Sequence, residues 1–384
     1  MKITNIRTLL MDASYTYFNI DYLFILIETD EGITGLGEAS SWPGCPMVVG
    51  AIDEMRPFIL GKDPLDIEAL TQFLHRRFHY LGISGVVPTA ISGIEIALWD
   101  ILGKKTNLPL YKLLGGQCQQ QVKVYANYWA QEINHVADPK PWQEAALRTV
   151  QSGFKALKFT PIAFPGAKEL NRSIPWSEIA TGIKKIAAVR EAVGDDVELY
   201  LEMAGKFDVP TAIRIAKAIE PYRIGFIEEP VPPENVEAMR EVRSKSPIPV
   251  AAGERLYGRA QFRPYFEAGA LDIAQPDLLR TGGYFESRKI AALAETYYLP
   301  VAPHNAGGPV GSIATMHFGL NCPNFEVLEF RVGDVPWRDT CITPAINIVD
   351  GNMIPPEGPG LGIQLNEDVV NEHPHLPVPP EAFM

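Results

Sequence analysis

Three glutamates, Glu202, Glu228 and Glu254, recur at 26-residue intervals, each at the end of a short apolar run. Carboxylate oxygens are hard donors. Three from neighbouring strands suit Mg²⁺, which takes oxygen ligands in near-octahedral geometry, and the same oxygens would accept Mn²⁺. The His and Cys ligands typical of zinc are missing from the trio. Glu229 directly follows Glu228. Strand side chains alternate, so only one of the two points inward; register favours Glu228, with Glu229 in reserve.

Asp277 and His304 extend the series. A carboxylate bonded to one imidazole nitrogen fixes the tautomer and raises basicity at the other, which is the arrangement of a general base. Lys158 ends an earlier apolar run and Glu329 a later one. A lysine there can pair with a substrate carboxylate, or act as acid or base if its pKa is lowered. Glu329 could exchange a proton with a developing enolate if it is protonated. Metal plus base points to removal of the weakly acidic proton next to a carboxylate, with the metal stabilising the enediolate charge. Each residue also has a plainer reading as a rim ion pair. The spacing counts against that reading: from Glu202 to Glu329 the intervals are 26, 26, 23, 27 and 25 residues.

One such interval is one strand and one crossover helix. The apolar runs predict strands at 122–125, 156–159, 197–201, 224–227, 249–252, 272–275, 299–303 and 325–328. Helical patterns fall between them at 179–192, 210–219, 234–244, 259–268, 285–296 and 310–319. Parallel strands need crossovers of about a dozen residues, as here. An open sheet would spread the polar residues along a line. They converge only in a closed (β/α)₈ TIM barrel, an α/β architecture whose chemistry sits at the C-terminal strand ends. Residues 1–120 read as an α+β module. It has a hairpin (Tyr22–Glu28, Ile33–Glu38) and helical patterns at 48–60, 66–77 and 90–102. The barrel is expected over 121–333. The Pro- and Gly-rich tail, 334–384, reads as chain returning across the molecule, with Trp337, Ile346, Ile348, Leu361 and Ile363 able to pack.

The 384 residues carry a net charge of −12 without a basic run, which argues against a nucleic-acid partner. Four scattered cysteines, Cys45, Cys118, Cys322 and Cys341, read as free thiols of a reducing compartment. The N-terminus lacks the apolar core of a signal peptide, and no uninterrupted apolar run of about 18 residues predicts a membrane span. The expectation is a cytoplasmic protein.

At this point the chain resembles the enolase superfamily, in particular its mandelate racemase-like acid-sugar dehydratases. The resemblance rests on GITGLGE (32–38), ALWDILGK (97–104), LPLYKLLGG (108–116), ALKF (156–159), FIEEPVPPEN (226–235), AAGERLYGR (251–259), QPDLLRTGG (275–283) and APHNAGGPVG (302–311), in that order. It implies an N-terminal capping domain completed by the C-terminal tail, over a modified barrel. It implies Mg²⁺ on Glu202, Glu228 and Glu254, His304 as base supported by Asp277, and Glu329 against the substrate carboxylate. It also implies a homo-oligomer acting on a small carboxylate. Specificity would come from capping loops around Ser14–Ile20 and Ser41–Met47, with Trp42, Asn127 and Thr160 as candidate substrate contacts.

Three positions depart from that family. Glu202 stands where Asp is usual, Ala204 where many members carry a leaving-group histidine, and Thr160 where a second lysine is usual. Three functions follow. The first is dehydration of an aldonate or aldarate to a 2-keto-3-deoxy acid, the missing acid replaced by His304 itself, a capping-loop Tyr or a metal-bound water. The second is an epimerase, racemase or cycloisomerase using Lys158 and His304 on opposite faces. The third is a catalytically silent binding protein.

Overall fold

The computed structural model describes residues 1–14, 21–41, 44–162 and 172–377. The chain opens with an antiparallel sheet of β1 (Ile3–Asp12), β2 (Asp21–Thr29) and β3 (Thr34–Glu38), in that order. β2 is central, and Tyr22 to Ile27 are all buried. Three helices accompany the sheet: α1 (Cys45–Ile59), α2 (Ile67–Arg77) and α3 (Val86–Thr106). Helix α3 lies directly on β3. A Cβ at Gly35 or Gly37 would come within 2.1 Å of the carbonyl oxygen of Ala97 or Gly93, so only glycine permits this approach. α3 is long and apolar enough to cross a membrane, yet its most apolar window is 89% buried inside the protein. It is the core helix of this layer.

The barrel strands are β4 (Val122–Asn127), β5 (Ala156–Phe159), β6 (Glu198–Glu202), β7 (Ile224–Glu228), β8 (Val250–Ala252), β9 (Ile273–Ala274) and β10 (Leu328–Arg331). β4 to β9 pair in parallel in chain order. Val301 then bridges Ala274 to Phe325, and β10 pairs in parallel with β4, so the sheet closes. Eight residues, one per stave, pack as an inner cluster: Tyr125, Ala156, Tyr200, Phe226, Ala251, Ile273, Ala302 and Val327.

Two expected staves differ in detail. The run 299–303 is one bridging residue, Val301, rather than a strand, because Pro300 and Pro303 have no N–H to donate. The last strand begins at Leu328, so Glu329 lies within it and not beyond it. β1 and the helix Lys140–Gln151 escaped sequence reading. β1 lacks clean alternation in burial, and the helix buries only Trp142, Ala145 and Ala146.

The tail returns to both layers. Asn352–Ile354 pairs antiparallel with β4 at Val122 and Lys123, and a hairpin joins it to Asn347–Val349. Farther on, Met11 of β1 bridges Pro374, and Arg7 holds Glu367 at 2.8 and 2.9 Å. Leu361 and Ile363 are buried; Trp337, Ile346 and Ile348 pack half-buried against the core.

Buried carboxylates join cap, barrel and tail. Glu95 of α3 accepts the backbone N–H groups of Tyr284 (2.8 Å) and Phe285 (3.0 Å), at the start of helix Gly283–Glu295. Glu38 accepts the N–H groups of Gly308 and Gly311, the latter at 2.7 Å, where helix Pro309–Asn321 starts. Asp100 accepts those of Leu36 and Leu361, each at 2.8 Å. Helix N-termini leave backbone donors without intrahelical partners. Here cap carboxylates satisfy them, which fixes the cap over the barrel mouth.

Candidate active site

The polar residues read from the strand ends occupy one layer above the inner cluster. Alternation requires this: Asn127, Lys158, Glu202, Glu228, His304 and Glu329 each lie two residues beyond an inward-facing residue of that cluster. Lys158 is the hub. Its Nζ lies 2.5 Å from Glu228, 3.1 Å from Glu329 and 3.2 Å from Glu202. Burial alone would lower the Lys158 pKa, but Glu228 and Glu329 raise it well above its ordinary value. The lowered pKa that would make Lys158 a proton shuttle is therefore absent. In this arrangement it is a fixed cation.

The His304 imidazole is held at both nitrogens. Nδ1–H donates to Asp277 at 2.7 Å, and Nε2 faces Glu254 at 2.9 Å and Glu329 at 3.7 Å. Burial would depress its pKa; Glu329 and Glu254, with the Asp277 bond, raise it well above the ordinary value. Glu329 shows the reverse balance. Burial would raise its carboxyl, but Lys158 and His304 hold it below the usual range. It is thus an acceptor, taking N–H bonds from Asn127 (2.5 Å) and Asn305 (3.0 Å), and not the protonated group the sequence allowed.

The three candidate metal ligands are on consecutive strands but engage different partners. Glu254 faces His304, which overcomes burial and holds that carboxyl far below its usual range. Glu228 is fully buried, accepts from Lys158 and from Gln275 at 2.9 Å on one oxygen, and has no partner on the other. Glu202 bends back to accept the N–H of Ala204 at 2.6 Å, with Ala204 in the left-handed region at φ 47°. Burial, then the charges of Glu228 and Glu254, push the Glu202 carboxyl well above its ordinary pKa. Among the described residues no three side chains already converge as a metal cage. The donor chemistry nevertheless fits a hard divalent cation. All donors are oxygens, the carboxylates repel one another, and one buried Glu228 oxygen is unpaired. Glu202 and Glu254 keep 17% and 23% side-chain exposure, so the cluster opens on their side.

Glu229, the reserve candidate, points elsewhere and pairs with Arg255. Thr160 stands two residues beyond Lys158, just past the end of β5. Trp42 and residues 15–20 lie outside the described residues. Sequence reading missed Arg331, two residues beyond Glu329 on β10. The same alternation that singled out its neighbours would have found it.

Comparison with known proteins agrees with this architecture. Residues 142–369 match the model described as enolase C-terminal domain-like. Residues 5–115 match that of the mandelate racemase/muconate lactonizing enzyme N-terminal domain. The chain is 36% identical to the D-xylonate dehydratase of Haloferax volcanii, over 97% of this chain and 89% of that one. It is 35% identical to the D-gluconate dehydratase of Thermoproteus tenax, over 94% and 71%. A mandelate racemase/muconate lactonizing enzyme-like structure from Rubrobacter xylanophilus superposes with a TM-score of 0.89 at 35% identity, covering 98% of both chains. Capping sheet, closed barrel, strand-end carboxylates and these likenesses agree: the chain belongs to the mandelate racemase/muconate lactonizing enzyme group of the enolase superfamily.

Proposed function

We propose that this protein is a hydro-lyase that dehydrates a sugar acid to a 2-keto-3-deoxy acid. The observation that carries the reading is His304, anchored through Nδ1 by Asp277 while Nε2 faces the carboxylates at the mouth. Dehydratases of D-xylonate and D-gluconate among the relatives support it.

His304, once neutral, takes the proton from C2 at Nε2, and the electron pair is delocalised into the substrate carboxylate. Lys158 keeps positive charge beside the site, and Glu228 and Glu329 keep that lysine in place. The C3–O bond then breaks. The departing hydroxyl leaves as water with the proton that His304 returns, a syn course. Ala204 and Thr160 offer no acid on the opposite side. The enol product becomes the 2-keto acid by tautomerisation. Glu202, Glu228 and Glu254 would hold Mg²⁺, which supplies positive charge to the carboxylate oxygens.

The competing reading is an epimerase with Lys158 as second base. The test is a panel of aldonates and aldarates with Mg²⁺, read as 2-keto acid formation. The expected result is turnover that His304→Asn abolishes. Deuterium exchange at C2 with no keto acid from any substrate would sink the reading and favour an epimerase.

A further inference from the structure

Arg331 has no role in the chemistry above, yet its placement is unusual. It is 2% exposed. Val327 belongs to the inner barrel cluster, and Glu329 joins the polar layer above it. Arg331 is the next residue on that face, one layer nearer the mouth, while Phe330 between them turns outward to stack on Phe154. The guanidinium lies 5.1 Å from the centre of the Tyr128 ring, with Nη2 3.2 Å from Asp334. Nε and Nη1 have no hydrogen-bond partner. Three N–H donors are therefore buried and unanswered, which costs stability until a ligand accepts from them. Asp334 does not neutralise the region, because its other oxygen pairs with Arg338 at 2.7 Å. Two guanidinium groups thus share this one carboxylate.

Beyond Lys158 and Glu202, just past the ends of β5 and β6, the chain continues to Thr160 and Ala204, neither of them charged. Two residues along a strand rise about 6.6 Å, comparable with an extended six-carbon chain.

Resting on the sugar-acid reading of the site, we propose that Arg331 binds the end of the substrate remote from the reacting carboxylate. That end carries acceptor oxygens, either a second carboxylate or the terminal hydroxyls of a chain of about six carbons. It is not a hydrocarbon tail.

Binding of D-glycerate, D-gluconate and D-glucarate to the full chain with Mg²⁺, measured calorimetrically, tests this. A His304→Asn background keeps the acids from being consumed. Glycerate has the carboxylate but no remote end. The expected result is that Arg331→Met weakens gluconate or glucarate at least tenfold and changes glycerate less than twofold, with Arg331→Lys between. A larger loss for glucarate assigns a remote carboxylate; equal losses for the two long acids assign hydroxyls. Equal weakening of all three acids, or of none, overturns the proposal, as does a long acid binding no tighter than glycerate before substitution. Arg331-dependent binding of long acids in that background, with no dehydration of any by the protein that retains His304, would defeat the proposed reaction and leave this inference standing.

Discussion

Carboxylates cluster in two regions of this molecule, and the balance of their partners differs. At the junction of cap, barrel and tail, Glu38, Glu95 and Asp100 accept fixed backbone N–H groups. At the barrel mouth, Glu202, Glu228, Glu254 and Glu329 crowd one another around two side-chain cations, Lys158 and His304. Backbone donors cannot leave, so the first set holds the fold together. Side-chain cations can be exchanged for a ligand, so the second set remains available for chemistry. The two buried histidines repeat the contrast. His304 stands among carboxylates and is raised; His317 stacks on Tyr111, bonds only the Leu361 carbonyl, and is pushed down to about 4 by burial.

The contrast can be broken at several points. The largest effect expected is on turnover. His304→Asn should lower kcat/KM by roughly 10²–10⁴-fold, the usual contribution of a positioned base, while circular dichroism shows an intact fold. Retained activity would remove the mouth from the chemistry. Next, Lys158→Met leaves three carboxylates, two of them fully buried, without their shared cation. Urea denaturation without divalent metal should show a loss of about 3–5 kcal/mol. Added Mg²⁺ should raise the melting temperature of this variant more than that of the unaltered protein; an equal response would mean that lysine and metal do not share a site.

His317 gives the junction a pH signature. Its folded pKa lies below the ordinary 6.5, so protons favour the unfolded chain. Its neutral form therefore contributes fully above about 6.5, and stability falls as the pH drops from there through about 4. The full loss is about 3 kcal/mol. His317→Gln should flatten that part of the stability–pH curve, and an unchanged slope would assign it to other groups. The smallest effect expected is from Glu95→Ala, about 2 kcal/mol from unpairing the N–H groups of Tyr284 and Phe285. Its kcat should stay within about twofold of the parent value, since no mouth residue is touched; a large fall in kcat would mean the regions are coupled.

The two sets also differed in what the sequence disclosed. A polar residue at the end of an apolar strand is conspicuous, and the barrel period repeats it. Lys158, Glu202, Glu228, Glu254, Asp277, His304 and Glu329 were therefore legible before their distances were known. Glu38 and Asp100 lay inside quoted motifs, but their partners are backbone groups, which every residue carries and no residue type signals. Arg331 was less conspicuous because it follows Glu329 on the same strand face and so adds no new member to the barrel period. What the sequence could not convey was protonation. Lys158 and Glu329 each admit either state alone, and only their 3.1 Å separation settles them as a charged pair.

The course of the tail has a consequence for how the molecule is made. Residues 352–354 hydrogen-bond the first barrel strand, and residues 367 and 374 reach the first strand of the cap. During N-to-C synthesis, each layer thus waits for segments that emerge last. Until they arrive, β4 has neither β10 nor residues 352–354 beside it, and its exposed backbone can pair with other nascent strands. Premature chain release would therefore yield molecules prone to associate through that edge, rather than smaller working enzymes.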